Sequence, residues 1–123
     1  MSEQAIRNAA EIYCVALHNS DADALAALCH DAFFMTTMLG KGEPFLLNKQ
    51  TFTDRARART PFDGAPSWGI ESIDVEPDMA HVKLWVDMPP RRFCDYLGFV
   101  PVNGEWKLIT KLYRVAQGPA VDA

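Results

Sequence analysis

Arg91–Val115 reads RRFCDYLGFVPVNGEWKLITKLYRV, and the fold turns on this stretch. Two runs rich in aromatic and aliphatic residues flank Asn103-Gly104, the strongest short-range signal for a β-hairpin with a tight primed turn. A two-residue turn fixes register, so the expected ladder pairs Val102 with Glu105, Val100 with Lys107, Gly98 with Ile109, Tyr96 with Lys111 and Cys94 with Tyr113. One face then carries Cys94, Tyr96, Gly98, Ile109, Lys111 and Tyr113. The other carries Phe93, Asp95, Leu97, Phe99, Trp106, Leu108, Thr110 and Leu112. Neither face is polar enough to be simply solvated. The first is expected to line a cavity beneath helices and the second to meet another subunit; the opposite assignment would turn Asp95 inward and Lys111 outward.

Upstream of the hairpin, Met79–Met88 alternates cleanly, with Ala80, Val82, Leu84, Val86 and Met88 on one face and His81, Lys83, Trp85 and Asp87 on the other. The first face packs on helices. The second is polar except for Trp85, which suits the edge of a subunit contact together with Phe99 and Leu108. Trp68–Glu76 reads as the preceding strand, joined through Pro77-Asp78, and TPFDGAPSWG before it is a loop by its Pro and Gly content.

The N-terminal half is helical in character. Ile6, Ala10, Tyr13, Cys14 and Leu17 recur at helical spacing between Ser2 and His18, and Ser20-Asp21 caps a second helix through Leu25, Leu28 and Cys29. Ala32–Leu39 is a strand by its aromatic and β-branched content, with Phe34 and Thr36 on one face and Phe33, Met35 and Thr37 on the other. Asn48 caps a third helix, NKQTFTDRARAR, which places Arg55 and Arg59 on a common face near its C-terminus. An acidic ligand could use that pair, although basic residues there also suit the helix dipole alone. The tail from position 116 to 123 lacks periodicity and is expected to be mobile.

With 123 residues, 49% of them hydrophobic and 23% charged, the chain is expected to form a single domain of residues 1–123. The net charge of −4 argues against a nucleic-acid partner, and no apolar run approaches the ~20 residues of a membrane span. Cys14, Cys29 and Cys94 form no short-spaced pair, which fits reduced thiols, and with no secretory signal in MSEQAIRNAAEIY the expected location is cytoplasmic. Cys14, His18, Cys29 and His30 do not make a convincing metal set, and no glycine-rich phosphate loop or nucleophile elbow implies a cofactor.

The order helix, helix, strand, helix and four-strand meander is α+β, with three helices packed into the concave face of a curved, mainly antiparallel sheet. In DADALAALCHDAFFMT, IESIDVEPDMAHVKLWV and RRFCDYLGFVPVNGEWKLITKLYRV the chain resembles the nuclear transport factor two-like superfamily, and within it the putative lumazine-binding subgroup. The ketosteroid isomerases of that superfamily use a tyrosine on the first helix, a carboxylate base on the first strand and a protonated acid on the strand before the last. Tyr13 matches the tyrosine, whereas the base falls on or near Thr36 and the acid on or near Gly98, neither able to do that work.

The aromatic inner face, the missing carboxylates and the apolar outer hairpin face lead to the expectation of a homodimer that binds a small apolar or carbonyl-bearing molecule in a cavity lined by Tyr13, Phe34, Thr36, Cys94, Tyr96, Ile109, Lys111 and Tyr113. The alternatives are an isomerase, dehydratase or cyclase using Tyr13, Tyr96 and Lys111 as donor, proton relay and electrostatic partner, and a structural or protein-binding dimer.

Overall fold

The computed structural model describes residues 2–121. Its elements are α1 (Glu3–His18), α2 (Ala22–Leu28), β1 (Cys29–Met38), β2 (Pro44–Asn48), α3 (Lys49–Ala58), β3 (Trp68–Val75), β4 (Ala80–Met88), β5 (Arg91–Val102) and β6 (Glu105–Gln117). The strands form one curved, open, mixed sheet in the order β2-β1-β6-β5-β4-β3, with the three helices packed against it. β1 runs parallel to β6; every other neighbouring pair is antiparallel. Pro44–Asn48, read from sequence only as a short apolar piece, is the edge strand that pairs with β1.

Local chemistry sets the helix ends. The Ser2 and Asp21 side chains accept from the Ala5 and Ala24 amides, and Asn48 and Thr51 form a reciprocal capping box at the start of α3. The α1 stripe of Ile6, Ala10, Tyr13, Cys14 and Leu17 is buried against the sheet, meeting Val82, Leu84, Val86, Leu97, Phe99 and Leu108 in one core. His18 closes the corner by hydrogen bonding through Nε2 to the Gly64 carbonyl at 2.8 Å, while its own carbonyl accepts from Phe62 N at 3.0 Å.

The hairpin starts in the expected register and then leaves it. Val102 pairs with Glu105 and Val100 with Lys107, but after Phe99–Leu108 the ladder resumes at Gly98–Thr110, with Ile109 as the extra residue. This β-bulge exchanges the faces of the second half of β6. Leu97 now opposes Lys111, Asp95 opposes Tyr113 and Tyr96 opposes Leu112. Asp95 and Lys111 therefore both turn inward, which neither regular register provides. Phe99 and Leu108, expected at a subunit contact, lie instead in the core at 1% and 0% exposure. Trp85 does lie on the outer face, with the Arg92 guanidinium 3.9 Å from its ring and Gly69 beneath it, where a Cβ would meet Nε1. Of the tail, Ala116 and Gln117 continue β6, and Arg91 donates to the Pro119 and Ala120 carbonyls; Asp122 and Ala123 lie outside the described residues.

Candidate functional site

A cavity of about 380 Å³ lies between α3, the concave face of the sheet and the β4–β5 corner. Its wall is mostly apolar. β1 and β2 supply Met35, Phe45 and Leu47; α3 supplies Phe52, Arg55 and Arg59; β4 and β5 supply Val86, Met88, Phe93 and Asp95; and β6 supplies Lys111 and Tyr113. Volume and lining suit a small organic ligand, with a few polar groups to fix its orientation.

The polar groups converge at one end. Tyr13, wholly buried on α1, donates its hydroxyl to Asp95 Oδ2 at 2.5 Å, and Lys111 Nζ stands 3.9 Å from the same oxygen. The lysine ammonium is ringed by Tyr113, Tyr13 and Phe52, whose centroids lie 4.8, 5.2 and 5.1 Å away. Burial is the largest influence on all three groups. It raises the Asp95 carboxyl against the pull of Lys111 and the Tyr13 bond, and lowers Lys111 against the pull of Asp95. Tyr13 is held well above its ordinary value, first by burial and then by the adjacent Asp95, so its hydroxyl keeps its proton and acts as a donor.

Two polar ends at this cavity have no partner among the described residues. Asp95 Oδ1 is buried without a hydrogen bond, as are Nε and Nη2 of Arg59. Burial, the largest influence on the Arg59 guanidinium, lowers its pKa from the ordinary arginine value. The other two arginines at the cavity are placed differently: Arg55 is exposed and lies 5.1 Å over the Phe45 ring, and Arg91 is bound to the two tail carbonyls.

Among the residues expected from sequence, Lys111 and Tyr113 line the cavity and Tyr13 sits against its polar end. Phe34, Thr36, Cys94, Tyr96 and Ile109 do not line it. Phe34 and Thr36 share the face of β1 opposite to the buried Phe33, Met35 and Thr37, and Phe34 is 53% exposed. Cys94 and Tyr96 alternate with the buried Asp95, Leu97 and Phe99 and so lie on the outer face, where the Ile109 bulge sets them opposite Arg114 and Leu112. The acid beside Tyr13 is Asp95 and not a residue at Gly98. A glycine inside a strand was the available sign of the bulge. No carboxylate from β1 reaches the cavity, since its inward position there is Met35. Among the described residues no three His, Cys, Asp or Glu side chains are grouped to hold a metal ion, and no helix is long and apolar enough to cross a membrane.

Comparison with known proteins places this geometry. The profile of the family described as putative lumazine-binding matches residues 1–114. The chain belongs to that family. Among solved structures, an NTF-2 like protein of unknown function from Silicibacter pomeroyi superposes with a TM-score of 0.83 at 24% identity, over 91% of this chain and 93% of that one. An NTF2-like protein of unknown function from Shewanella baltica gives 0.85 at 16% identity, over 94% of each chain. A ketosteroid isomerase-like protein from Erwinia carotovora atroseptica gives 0.73 at 16% identity, over 96% of this chain and 100% of that one. At these identities the likeness establishes the shared nuclear transport factor two-like fold. No curated protein matches the chain significantly.

Proposed function

We propose that this protein is a homodimer that binds a small apolar, carbonyl-bearing molecule in the cavity beneath α3. The observation that carries the reading is the Tyr13–Asp95–Lys111 cluster at the end of an otherwise apolar chamber, with Asp95 Oδ1 buried and unpartnered. Because Tyr13 already donates to Oδ2, a proton taken up by the carboxyl belongs on Oδ1, where it becomes a donor suited to a carbonyl oxygen. A buried donor or acceptor without a partner is costly, and a ligand that supplies one recovers that cost. The name of the family supports a small-molecule role, and a bicyclic, carbonyl-bearing heterocycle such as lumazine belongs to this chemical class.

The dimer reading rests on the outer face. Leu46, Thr36, Leu112 and Tyr96 form a row across β2, β1, β6 and β5, with Phe34 beside it. Four of these, Phe34, Leu46, Tyr96 and Leu112, are large hydrophobic side chains between 42% and 54% exposed. A self-complementary apolar face of this kind is what a two-fold contact would cover.

Native mass spectrometry of the purified protein tests both parts, followed by titration with 2-acetylnaphthalene, a neutral bicyclic ketone. A dimer that binds the ketone, with weaker binding in Asp95→Ala, supports the reading. A monomer removes the dimer, and a protein that binds no ketone removes the cavity role.

A second reading has its own observation: Lys111, with its amine held toward the neutral form, is the buried lysine beside the Tyr13–Asp95 pair among the described residues. Such an amine could take a proton from the carbon next to a carbonyl polarised by the protonated Oδ1 of Asp95, in place of the missing carboxylate base. Exchange of the α-protons of 2-tetralone in deuterated water, followed by NMR, decides it. Acceleration that disappears in Lys111→Met supports catalysis, and a rate equal to buffer leaves binding alone.

A further inference from the structure

The charge of the cavity is the reverse of the charge of the chain. Overall the protein carries −4, yet among the described residues the charged groups at the cavity wall are Arg55, Arg59, Arg91 and Lys111 against the carboxylate of Asp95. The four bases are not equivalent. Lys111 faces Asp95, Arg91 is bound to the Pro119 and Ala120 carbonyls, and Arg55 lies over Phe45. Arg59, at the C-terminal cap of α3, is the one whose buried nitrogens have no acceptor among the described residues, and they are Nε and Nη2.

Those two nitrogens matter together. In a planar guanidinium the Nε hydrogen and one Nη2 hydrogen point the same way, forming the two-pronged edge that takes both oxygens of a carboxylate in parallel. A favourable interaction with the helix dipole would be available to an exposed arginine and does not require burying this edge. Arg57, in the last turn of the same helix, illustrates that case: it is exposed and pairs with Asp23 at 3.3 Å. A phosphate would bring a third oxygen and a second charge to an edge that offers two N–H groups. Two free N–H groups match two oxygens.

We infer that Arg59 is a carboxylate-binding residue of this cavity, and that its ligand is a small apolar or aromatic acid bearing a carbonyl or hydroxyl group, its carboxylate on the Nε–Nη2 edge of Arg59 and its neutral oxygen toward Asp95. This rests on the cavity-binding reading and adds the charged end of the ligand. The neutral end alone cannot distinguish acids from ketones; Arg59 can.

A matched pair of probes separates the two ideas. 6-Acetyl-2-naphthoate and 2-acetylnaphthalene differ only by the carboxylate, and both are titrated by fluorescence and calorimetry into the full chain. The acid is expected to bind at least about tenfold more tightly, as a charge-assisted pair of hydrogen bonds implies. That preference should vanish in R59M with ketone affinity unchanged, and persist in R57Q, which removes an equal charge from the exposed face. R59K keeps the charge without the two-pronged edge and should lose most of the preference, which carries the test if R59M does not fold. Equal affinities in the wild type, or a preference that survives in R59M, overturn the carboxylate role while the cavity reading stands. Binding of neither probe overturns both.

Discussion

The Tyr13 hydroxyl and Asp95 Oδ2 meet at 2.5 Å across 82 positions of chain, joining the first helix to the fifth strand inside the core. Tyr13→Phe leaves the Asp95 carboxyl buried with neither oxygen bonded, so it should lower unfolding free energy by about 1–3 kcal/mol, read from urea midpoints. The same variant should weaken 2-acetylnaphthalene binding, because Asp95 loses the bond that directs its proton to Oδ1.

The Asp95–Lys111 pair is expected to serve the cavity at the expense of stability. Replacing both members, Asp95→Asn with Lys111→Met, removes two groups that burial drives away from their charged forms, and should raise stability by roughly 1–4 kcal/mol while weakening ketone binding. Equal or lower stability in the double variant would show that the pair holds the fold.

Lys111→Met alone should expose the pH dependence of Asp95. The folded carboxyl is raised above its unfolded value of about 3.9, and the substitution removes the one cation that opposes the rise. Below about pH 4 both states hold the proton, and the contribution to stability is complete. As pH rises the unfolded chain releases the proton first, so stability falls until the folded carboxyl ionises. Compared with the double variant, Lys111→Met should therefore lose stability on going from pH 4 to neutral, seen as a steadily falling urea midpoint. A flat difference would mean that Asp95 titrates normally.

On the outer face, Leu112→Lys should convert a dimer to a monomer in sedimentation analysis without unfolding it. Leu112 is 54% exposed and stands between Thr36 and Tyr96 on neighbouring strands. An unchanged sedimentation coefficient would place the contact elsewhere.

The turn offers a stability prediction separate from the site. Asn103 and Gly104 both adopt positive φ, 51° and 81°, and Gly104→Ala should cost about 1–2 kcal/mol with no effect on ketone binding. A larger loss would mean that the turn also governs register beyond the first pairs of the hairpin.

Much of the architecture was legible because local signals agreed with it. The α1 stripe, the caps at Asp21 and Asn48, the alternation of β4 and the Asn103-Gly104 turn each report on a few neighbouring residues. The site was less legible because it depends on parity along the hairpin. Counting alternate residues from the turn gives the right pairs as far as Phe99–Leu108, but the face that carries Phe99, Leu97 and Asp95 is the buried one and Tyr96 is outward, the reverse of the expected assignment. On β1 the alternation separates the two faces, but nothing in it says which one turns inward: Phe33 and Met35 are the buried pair, and Phe34 and Thr36 face away from the cavity. Lys111 and Tyr113 were placed on the cavity side from a ladder without the bulge, and Ile109 is what brings them to the same face as Asp95. Arg59 could not be singled out from sequence, because its neighbours Arg55 and Arg57 share its charge and differ from it only in what they touch.

Ile109 has a meaning for how this strand can change. Most substitutions alter one side chain, but drawing Ile109 into a regular ladder opposite Gly98 would move every position from Thr110 onward to the other face at once, whereas deleting it would leave those pairs as they are. One unpaired residue thus stands between a chamber holding an acid and an amine and one in which Thr110 and Leu112 take the inward places. Sequence comparisons across β6 need a gap allowed at this point, since a relative lacking the bulge would align residue for residue while presenting the opposite set to its ligand.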